Sequence, residues 1–377
     1  MTRRPVLFVT NLVAPDRVGA FRALHERVGI ELALFGGRSH HATAGVDDPG
    51  VPAREVEQSE IYALAASGGY GAVVCGTAGR LALPAAWAGA RRAQVPFLLW
   101  SALWAHPRSA AHVAGALLLR TLYRDADAVV AYGPHVASFA RRNGARRVTI
   151  APQAVDGAFW SSPDAVPSPP PEGAAFVALH VGRAARYKGV PELLEAWRLS
   201  GLGQQDGSLV LAGEGEVPGG EARDRVHAAG RLDAVALRNF YAGASVLVMP
   251  AIVTRAFREP WGLVANEAMH RGLPVIATDA VGAAAGGLIR DERNGLVVPA
   301  GDPRALAHAL RRLHDDAPLR ERLGAAARED VAAYTFDAFA AGFSAALREA
   351  SAARSRPVGG GIAEPGEGAR EASGGGR

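Results

Sequence analysis

Two series of short apolar runs, bounded by turn residues and spaced by helix-length segments, set the terms for this 377-residue chain. The first series reads PVLFVTN (5–11), IELALFGG (30–37), YGAVVCG (70–76), VPFLLW (95–100), ADAVVAYG (126–133) and RRVTIAP (146–152). Continuous apolar runs of this length indicate strands buried on both faces, the pattern of parallel strands covered by helices. The series breaks at SSPDAVPSPPPEG (161–173), which can join neither a helix nor a central strand. It then restarts with AAFVALHVG (174–182), SLVLAGEG (208–215), ASVLVMPA (244–251), LPVIATD (273–279) and NGLVVPAG (294–301). Helices are expected between these runs at 189–199, 233–242 and 262–271. The expected fold class is therefore α/β, with two Rossmann-like doubly wound domains facing a cleft. Residues 1–160 form the first domain, 161–173 the linker and 174–335 the second. Helices at 302–314, 316–333 and 336–350 close the chain, the last expected to return to the first domain. Residues 351–377 lack apolar payload and read as a disordered tail.

Composition narrows the partners. Hydrophobic residues make up 49% and charged residues 21%, as in a globular chain, and the net charge of +4 suits anionic ligands. The arginines are scattered with no aromatic-interleaved basic run, which argues against nucleic acid. The single cysteine, Cys75, rules out internal disulfides and cysteine-built zinc sites. After MTRR the apolar run Val6–Thr10 is too short for a signal peptide, and no stretch approaches the ~20 apolar residues that cross a bilayer. A cytoplasmic location is expected, with peripheral attachment to the inner membrane face as the variant. For that variant, FLLWSALWAHPR (97–108) and LLLRTLYR (117–124) interleave apolar and cationic residues; buried core with exposed arginines is the plainer reading.

Of 41 cationic residues, 40 are arginine, and Lys188 is the one lysine. It follows the run 174–182 at a helix start, with Arg183 five residues earlier. An ammonium makes a point contact with phosphate oxygens where a planar guanidinium fork does not fit. The stretch REPWGLVANEAMHRGLPVIATD (258–279) is the second informative one. Glu259 precedes a helix and Glu267 lies about one turn inside it. Trp261, Gly262, Leu263 and Val264 form the expected helix start, whose N–H groups have no intrahelical partner. Such a layout suits a nucleotide diphosphate-sugar, with hydroxyls on the carboxylates and the diphosphate on the amides. Each feature alone reads as an ordinary solvated charge. Their joint placement on βα loops of one domain favours the functional reading.

GRAARYKGVPELLEAW (182–197), EPWGLVANEAMHRGLPVIATDAVG (259–282) and NGLVVPAGD (294–302) together resemble glycosyltransferase family 4, retaining nucleotide-sugar enzymes of the GT-B fold. The resemblance covers most of 174–315 and is weaker over 1–152. It implies that Arg183 and Lys188 hold the donor diphosphate, that Glu259 contacts the transferred sugar and that Glu267 binds the ribose; Gly182 is counted among the donor-binding residues. It places Arg231 and Leu232 near the base, and Gly262, Leu263 and Val264 beside the donor. It also offers His106, after the fourth strand of the first series, as a histidine that positions the sugar. The acceptor, a small molecule or a lipid-linked or cell-envelope glycan, is expected near Asn11, Asp16 and Arg17. The family's Gly-Gly pair is missing from TNLVAPDRVGAF (10–21), where Gly19 is the nearest echo, and VGAAAGGLIRDE (281–292) lacks the family's acidic residue.

No cofactor or metal is expected. Asp125 and Asp127 have metal-motif spacing but read as a helix end and a strand start. The cations would then stabilise the leaving group, and no side-chain nucleophile is required. GEGEVP (213–218) has Pro218 where a dinucleotide fingerprint needs glycine, and Lys188 follows Tyr187 rather than the glycine of a P-loop. Two alternatives stay open: a sugar-nucleotide epimerase or phosphorylase on the same scaffold, and a non-catalytic sugar-nucleotide-binding protein.

Overall fold

The computed structural model describes residues 4–37, 46–79, 81–106, 110–215, 224–255 and 257–355. The apolar runs become two parallel sheets. The first contains β1 (Val6–Thr10), β2 (Ile30–Leu34), β3 (Ala53–Glu55), β4 (Ala72–Gly76), β5 (Phe97–Ser101), β6 (Ala128–Ala131) and β7 (Val148–Ile150), in the order β3-β2-β1-β4-β5-β6-β7. The second contains β8 (Phe176–Val181), β9 (Gly207–Ala212), β10 (Val226–Gly230), β11 (Val246–Met249), β12 (Val275–Thr278) and β13 (Gly295–Val298), in the order β10-β9-β8-β11-β12-β13. All pairings are parallel. Central strands such as β1, β4, β5 and β9 are buried at every residue, as their unbroken apolar runs require.

The helices of the first lobe are α1 (Val18–Val28), α2 (Ile61–Ala66), α3 (Ala82–Arg92), α4 (Ala110–Asp125), α5 (Pro134–Arg142) and α6 (Gly157–Ser161). The second lobe adds α7 (Val190–Ser200), α8 (Ala234–Gly243), α9 (Val264–His270), α10 (Gly282–Ala285), α11 (Pro303–Asp315) and α12 (Ala317–Val331), followed by α13 (Phe336–Ser355). Aspartates open several of them: Asp233 accepts from Ala236 N–H, Asp302 from Arg304 and Ala305, and Asp316 from Leu319.

Two edge strands had no apolar run to announce them. Every residue of β3 is exposed, and β10 is exposed at three of its five positions. The linker is also more than a spacer. Ser168 N–H bonds to Asn239 O at 2.9 Å and Val166 N–H to Asn239 Oδ1 at 3.1 Å, which stitches the proline-rich stretch to α8.

The last helix leaves the second lobe and packs on the first. Phe343 lies 5.6 Å from Phe8, and Phe339 lies 6.3 Å from Trp100, ring centroid to centroid. Helix α13 runs on to Ser355, so residues 351–355 are helical and not part of a tail; residues 356–377 lie outside the described residues. Gly19 belongs to this packing. A β-carbon there would meet Phe336 at 2.2 Å, so its smallness serves the α1–α13 contact and not a phosphate loop. Asp125 ends α4, while Asp127 accepts from Phe97 N–H at 2.8 Å and from Arg354 Nε at 3.0 Å, a structural junction.

Candidate functional site

In the second sheet the chain runs outward from β8 through β9 to β10, then crosses back to lay β11 on the other side of β8. That reversal is the switch point of the sheet, and ligands of open α/β sheets bind beyond the carboxyl ends of the strands there, here β8 and β11. The loop after β8 carries Gly182, Arg183 and Lys188, and the loop after β11 carries Glu259.

Lys188 does not open a helix, as its sequence setting suggested. It ends a single 3-10 turn, Arg186–Lys188, and α7 begins at Val190. Between them Gly189 takes φ 73°, and a β-carbon there would lie 1.8 Å from Pro250 O. Only glycine allows the two loops to approach this closely. Ile252 N–H bonds to Tyr187 O at 2.9 Å, and the Tyr187 and Phe257 rings lie 4.4 Å apart. Backbone and rings thus hold the two loops in register.

The result is an ion pair across the crevice. Lys188 Nζ lies 2.6 Å from Glu259 Oε2, with the side chains 16% and 4% exposed. Burial opposes the ammonium charge, but the Glu259 carboxylate and Tyr187 overcome it, and the Lys188 pKa stands above the ordinary lysine value. Half-buried Arg183 acts in the opposite sense, adding a second positive charge nearby. Gly182 continues β8, its N–H bonded to Ala212 O at 2.9 Å, and the Lys188 methylenes pass alongside it.

Beneath the pair lies His180, which is 3% exposed. Its Nδ1–H donates to Val248 O at 3.0 Å, which leaves Nε2 buried without a hydrogen-bond partner. Burial first, and the Lys188 charge as well, push its pKa down to about 4, so the imidazole is neutral.

Glu267 sits in the first turn of α9 and is 7% exposed. Tyr241 O–H donates to its Oε2 at 2.8 Å. Burial drives the Glu267 pKa up to about 7, against the Tyr241 hydrogen bond and with help from the Asp16 charge in the first lobe. The helix itself is seven residues long and starts at Val264, later than expected. Leu263 holds the N-cap position and Gly262 lies in the loop, at φ 94°, where a β-carbon would come 2.4 Å from Met249 Cε.

Arg231 and Leu232 follow the edge strand β10. Arg231 pairs with Glu214 at 2.9 Å, the arginine largely solvated and the glutamate half-buried, and Leu232 packs against the core. In the first lobe, Asn11 and Asp16 are half-buried and Arg17 is 6% exposed. Arg17 Cζ lies 5.7 Å from the Tyr132 ring centroid, and its Nη1 is buried without a hydrogen-bond partner.

His106 is placed elsewhere. It is exposed, its Nε2 bonds Asn143 Oδ1 at 3.1 Å and its ring packs on Phe139, at the far end of α5. The end of α5 that meets the second lobe carries His135, eight residues and about 12 Å back along the helix. His135 Nε2–H donates to Pro260 O at 3.0 Å, and Trp104 Nε1–H donates to Glu259 O at 3.1 Å. Sequence reading missed Trp104, His135, Tyr241 and His180. Only His180 left a signal, as a polar residue inside an otherwise apolar buried run. No helix among the described residues is long and apolar enough to cross a membrane.

Residues 167–330 match the family model of glycosyl transferases group 1. A D-inositol 3-phosphate glycosyltransferase from Streptomyces bingchenggensis is 38% identical over 117 residues, 30% of this chain and 24% of that protein. An uncharacterised glycosyltransferase of Methanocaldococcus jannaschii is 30% identical over 161 residues, 41% of this chain and 39% of that protein. The chain thus matches well under half the length of these curated relatives. Among solved structures, sucrose-phosphate synthase from Thermosynechococcus elongatus aligns with TM-score 0.67 and 21% identity over 93% of this chain and 100% of that one. Anabaena HepE in complex with UDP and glucose aligns with TM-score 0.69 and 16% identity over 92% of this chain and 100% of that one. The two lobes therefore have the GT-B fold.

Proposed function

We propose that this chain transfers a hexose-type sugar from a nucleotide diphosphate-sugar to an acceptor hydroxyl, with retention and without a metal. The observation that carries this reading is the buried Lys188–Glu259 pair at the switch point of the second sheet, with Arg183 beside it. The match of residues 167–330 to glycosyl transferases group 1 supports it, as does the likeness to HepE, whose structure holds UDP and glucose. Retention is what the family 4 resemblance implies.

In this reading Lys188 and Arg183 take the diphosphate oxygens, Glu259 accepts from hydroxyls of the transferred sugar and Glu267 from the ribose. Arg231 and Leu232 border the base, and Gly262 to Val264 line the donor. Breaking the bond from sugar C1 to the diphosphate oxygen leaves its electron pair on the nucleotide. The two cations stabilise that charge, each such preorganised contact contributing on the order of 3–4 kcal/mol. The acceptor oxygen bonds to C1 on the face the nucleotide leaves, and its proton passes to a phosphate oxygen. Asn11, Asp16 and Arg17 form the acceptor side. Leu117, 78% exposed, and Leu118, 48% exposed, supply the apolar part of a peripheral membrane contact on α4, beside the cations Arg120 and Arg124.

The test is thermal shift against UDP, GDP, ADP and dTDP with their glucose conjugates, followed by turnover of the best donor. One nucleotide at 100 times its Kd should stabilise the protein by about 2.7 kcal/mol. Lys188→Ala or Glu259→Ala should abolish turnover. Failure of every nucleotide to stabilise the protein refutes the donor assignment. Turnover that needs inorganic phosphate, or isomerises the donor with no acceptor, moves the chain to the phosphorylase or epimerase class.

A further inference from the structure

The loop that delivers Glu259 is gripped from the opposite lobe. Two first-lobe side chains, from the loop after β5 and from the start of α5, donate to two successive carbonyls of that loop: Trp104 to Glu259 O at 3.1 Å and His135 to Pro260 O at 3.0 Å. The donors support each other, with Trp104 and His135 edge to face at 5.0 Å between ring centroids. On the outer side, the Arg258 guanidinium carbon lies 4.3 Å from the centre of the Trp104 ring. On the inner side, Trp261 stacks at 6.0 Å from His135 and at 5.8 Å from Tyr334, the residue that leads into α13. From its own lobe the loop is held at other points, by Ala283 N–H to Trp261 O at 2.9 Å, Trp261 Nε1–H to Asn266 Oδ1 at 2.8 Å and the Tyr187 contacts to Ile252 and Phe257, none of which bonds the Glu259 or Pro260 carbonyl. Pro260 has no N–H of its own, so its carbonyl is the one backbone polar group by which that residue can be anchored.

We propose that Trp104 and His135 are positioning residues that set the Glu259 carboxylate, so that docking of the lobes and assembly of the Lys188–Glu259 cluster are one event. What the cluster does rests on the glycosyl-transfer reading; the latch itself does not. Each acts through a backbone carbonyl. An open lobe pair leaves the Glu259 and Pro260 carbonyls without these two donors and so loosens the Glu259 carboxylate against Lys188, although the contacts of Tyr187 still hold the rest of the loop. Sugar chemistry then proceeds only with the acceptor lobe in place.

The test uses the full chain carrying Trp104→Phe, His135→Leu or His135→Gln. Phenylalanine keeps an aromatic ring and removes the donor; glutamine keeps an N–H of similar reach. Hydrogen exchange of the Arg258–Val264 amides is measured against those of β11, with no ligand present. Trp104→Phe and His135→Leu should raise loop exchange about tenfold, the equivalent of one neutral hydrogen bond, and His135→Gln should restore it. With the glucose nucleotide that the wild type turns over fastest, kcat should fall about tenfold at unchanged KM, again with rescue by glutamine. Unchanged loop exchange in both Trp104→Phe and His135→Leu overturns the proposal, and so does raised exchange with kcat unaffected in an active protein. A wild type that turns over no sugar nucleotide refutes the transfer reading, and exchange alone then decides the latch.

Discussion

Lys188 and Glu259 neutralise each other at 2.6 Å in a crevice where neither is well solvated. Without a donor, the two charges that would bind its diphosphate and its sugar compensate one another. Removing one partner leaves the other buried and unpaired, which costs about 3–5 kcal/mol. Lys188→Met should lower unfolding stability by roughly that amount, while Lys188→Met with Glu259→Gln should recover most of it. Neither variant should transfer sugar. Guanidinium unfolding of the three proteins is the measurement; a Lys188→Met protein as stable as wild type would show that the pair carries no structural charge compensation.

That Lys188 and Glu259 stand together was legible because chemistry and topology agree. A parallel sheet exposes βα loops at one edge, and cations suited to a diphosphate stood on one of them with a carboxylate suited to hydroxyls on another. The buried strands were legible for a similar reason, since a run such as FVALHV has no solvated face. What stayed hidden depended on docking. Chain position offers His106 and passes over His135, yet the orientation of α5 against the second lobe brings His135 to Pro260. The partnership of Glu267 with Tyr241 spans 26 residues and has no local pattern. Edge strands β3 and β10 carry too little apolar surface to announce themselves.

Glu267 gives a stability test whose sign is fixed. Its folded pKa rises from 4.5 to about 7, chiefly through burial. The folded state therefore binds the extra proton between those values, and stability falls as pH rises through that window. Glu267→Gln keeps an acceptor for Tyr241 and removes the buried charge. Relative to wild type it should gain stability from pH 4.5 to 7 and hold the gain above, up to about 3 kcal/mol. Nucleotide affinity should weaken, because a neutral amide is a poorer acceptor for ribose hydroxyls. Urea unfolding at pH 4.5 and pH 8 checks the first claim. A gain that is the same at both pH values, or larger at the acidic one, contradicts it.

Gly189 should tolerate no side chain. A β-carbon would sit 1.8 Å from Pro250 O at a φ of 73° that L-residues resist. Gly189→Ala must separate the loops after β8 and β11, so it should lose nucleotide binding and several degrees of Tm together. Gly29, also at positive φ but with nothing within 4 Å, is the control for backbone strain alone. Equal effects of alanine at the two positions would assign the loss to backbone strain and not to the loop contact.

Asp16 tests whether the lobes face each other in solution as they do here. It stands at the head of α1 in the first lobe, yet its charge raises the pKa of Glu267 in the second. Replacing it with asparagine removes that repulsion, so Glu267 should ionise at lower pH. Because the ribose is held by the ionised carboxylate in the proposed reading, wild-type nucleotide affinity should strengthen as pH rises through about 7. In Asp16→Asn the same rise should occur at lower pH, with the affinity at high pH little changed. Calorimetric titration of the best nucleotide across pH 5 to 9 gives both midpoints. The repulsion requires closely apposed lobes and is screened by water when they part. An unshifted midpoint would therefore mean an open cleft in the binding-competent protein, and a shift toward higher pH would remove Asp16 from the neighbourhood of Glu267 altogether.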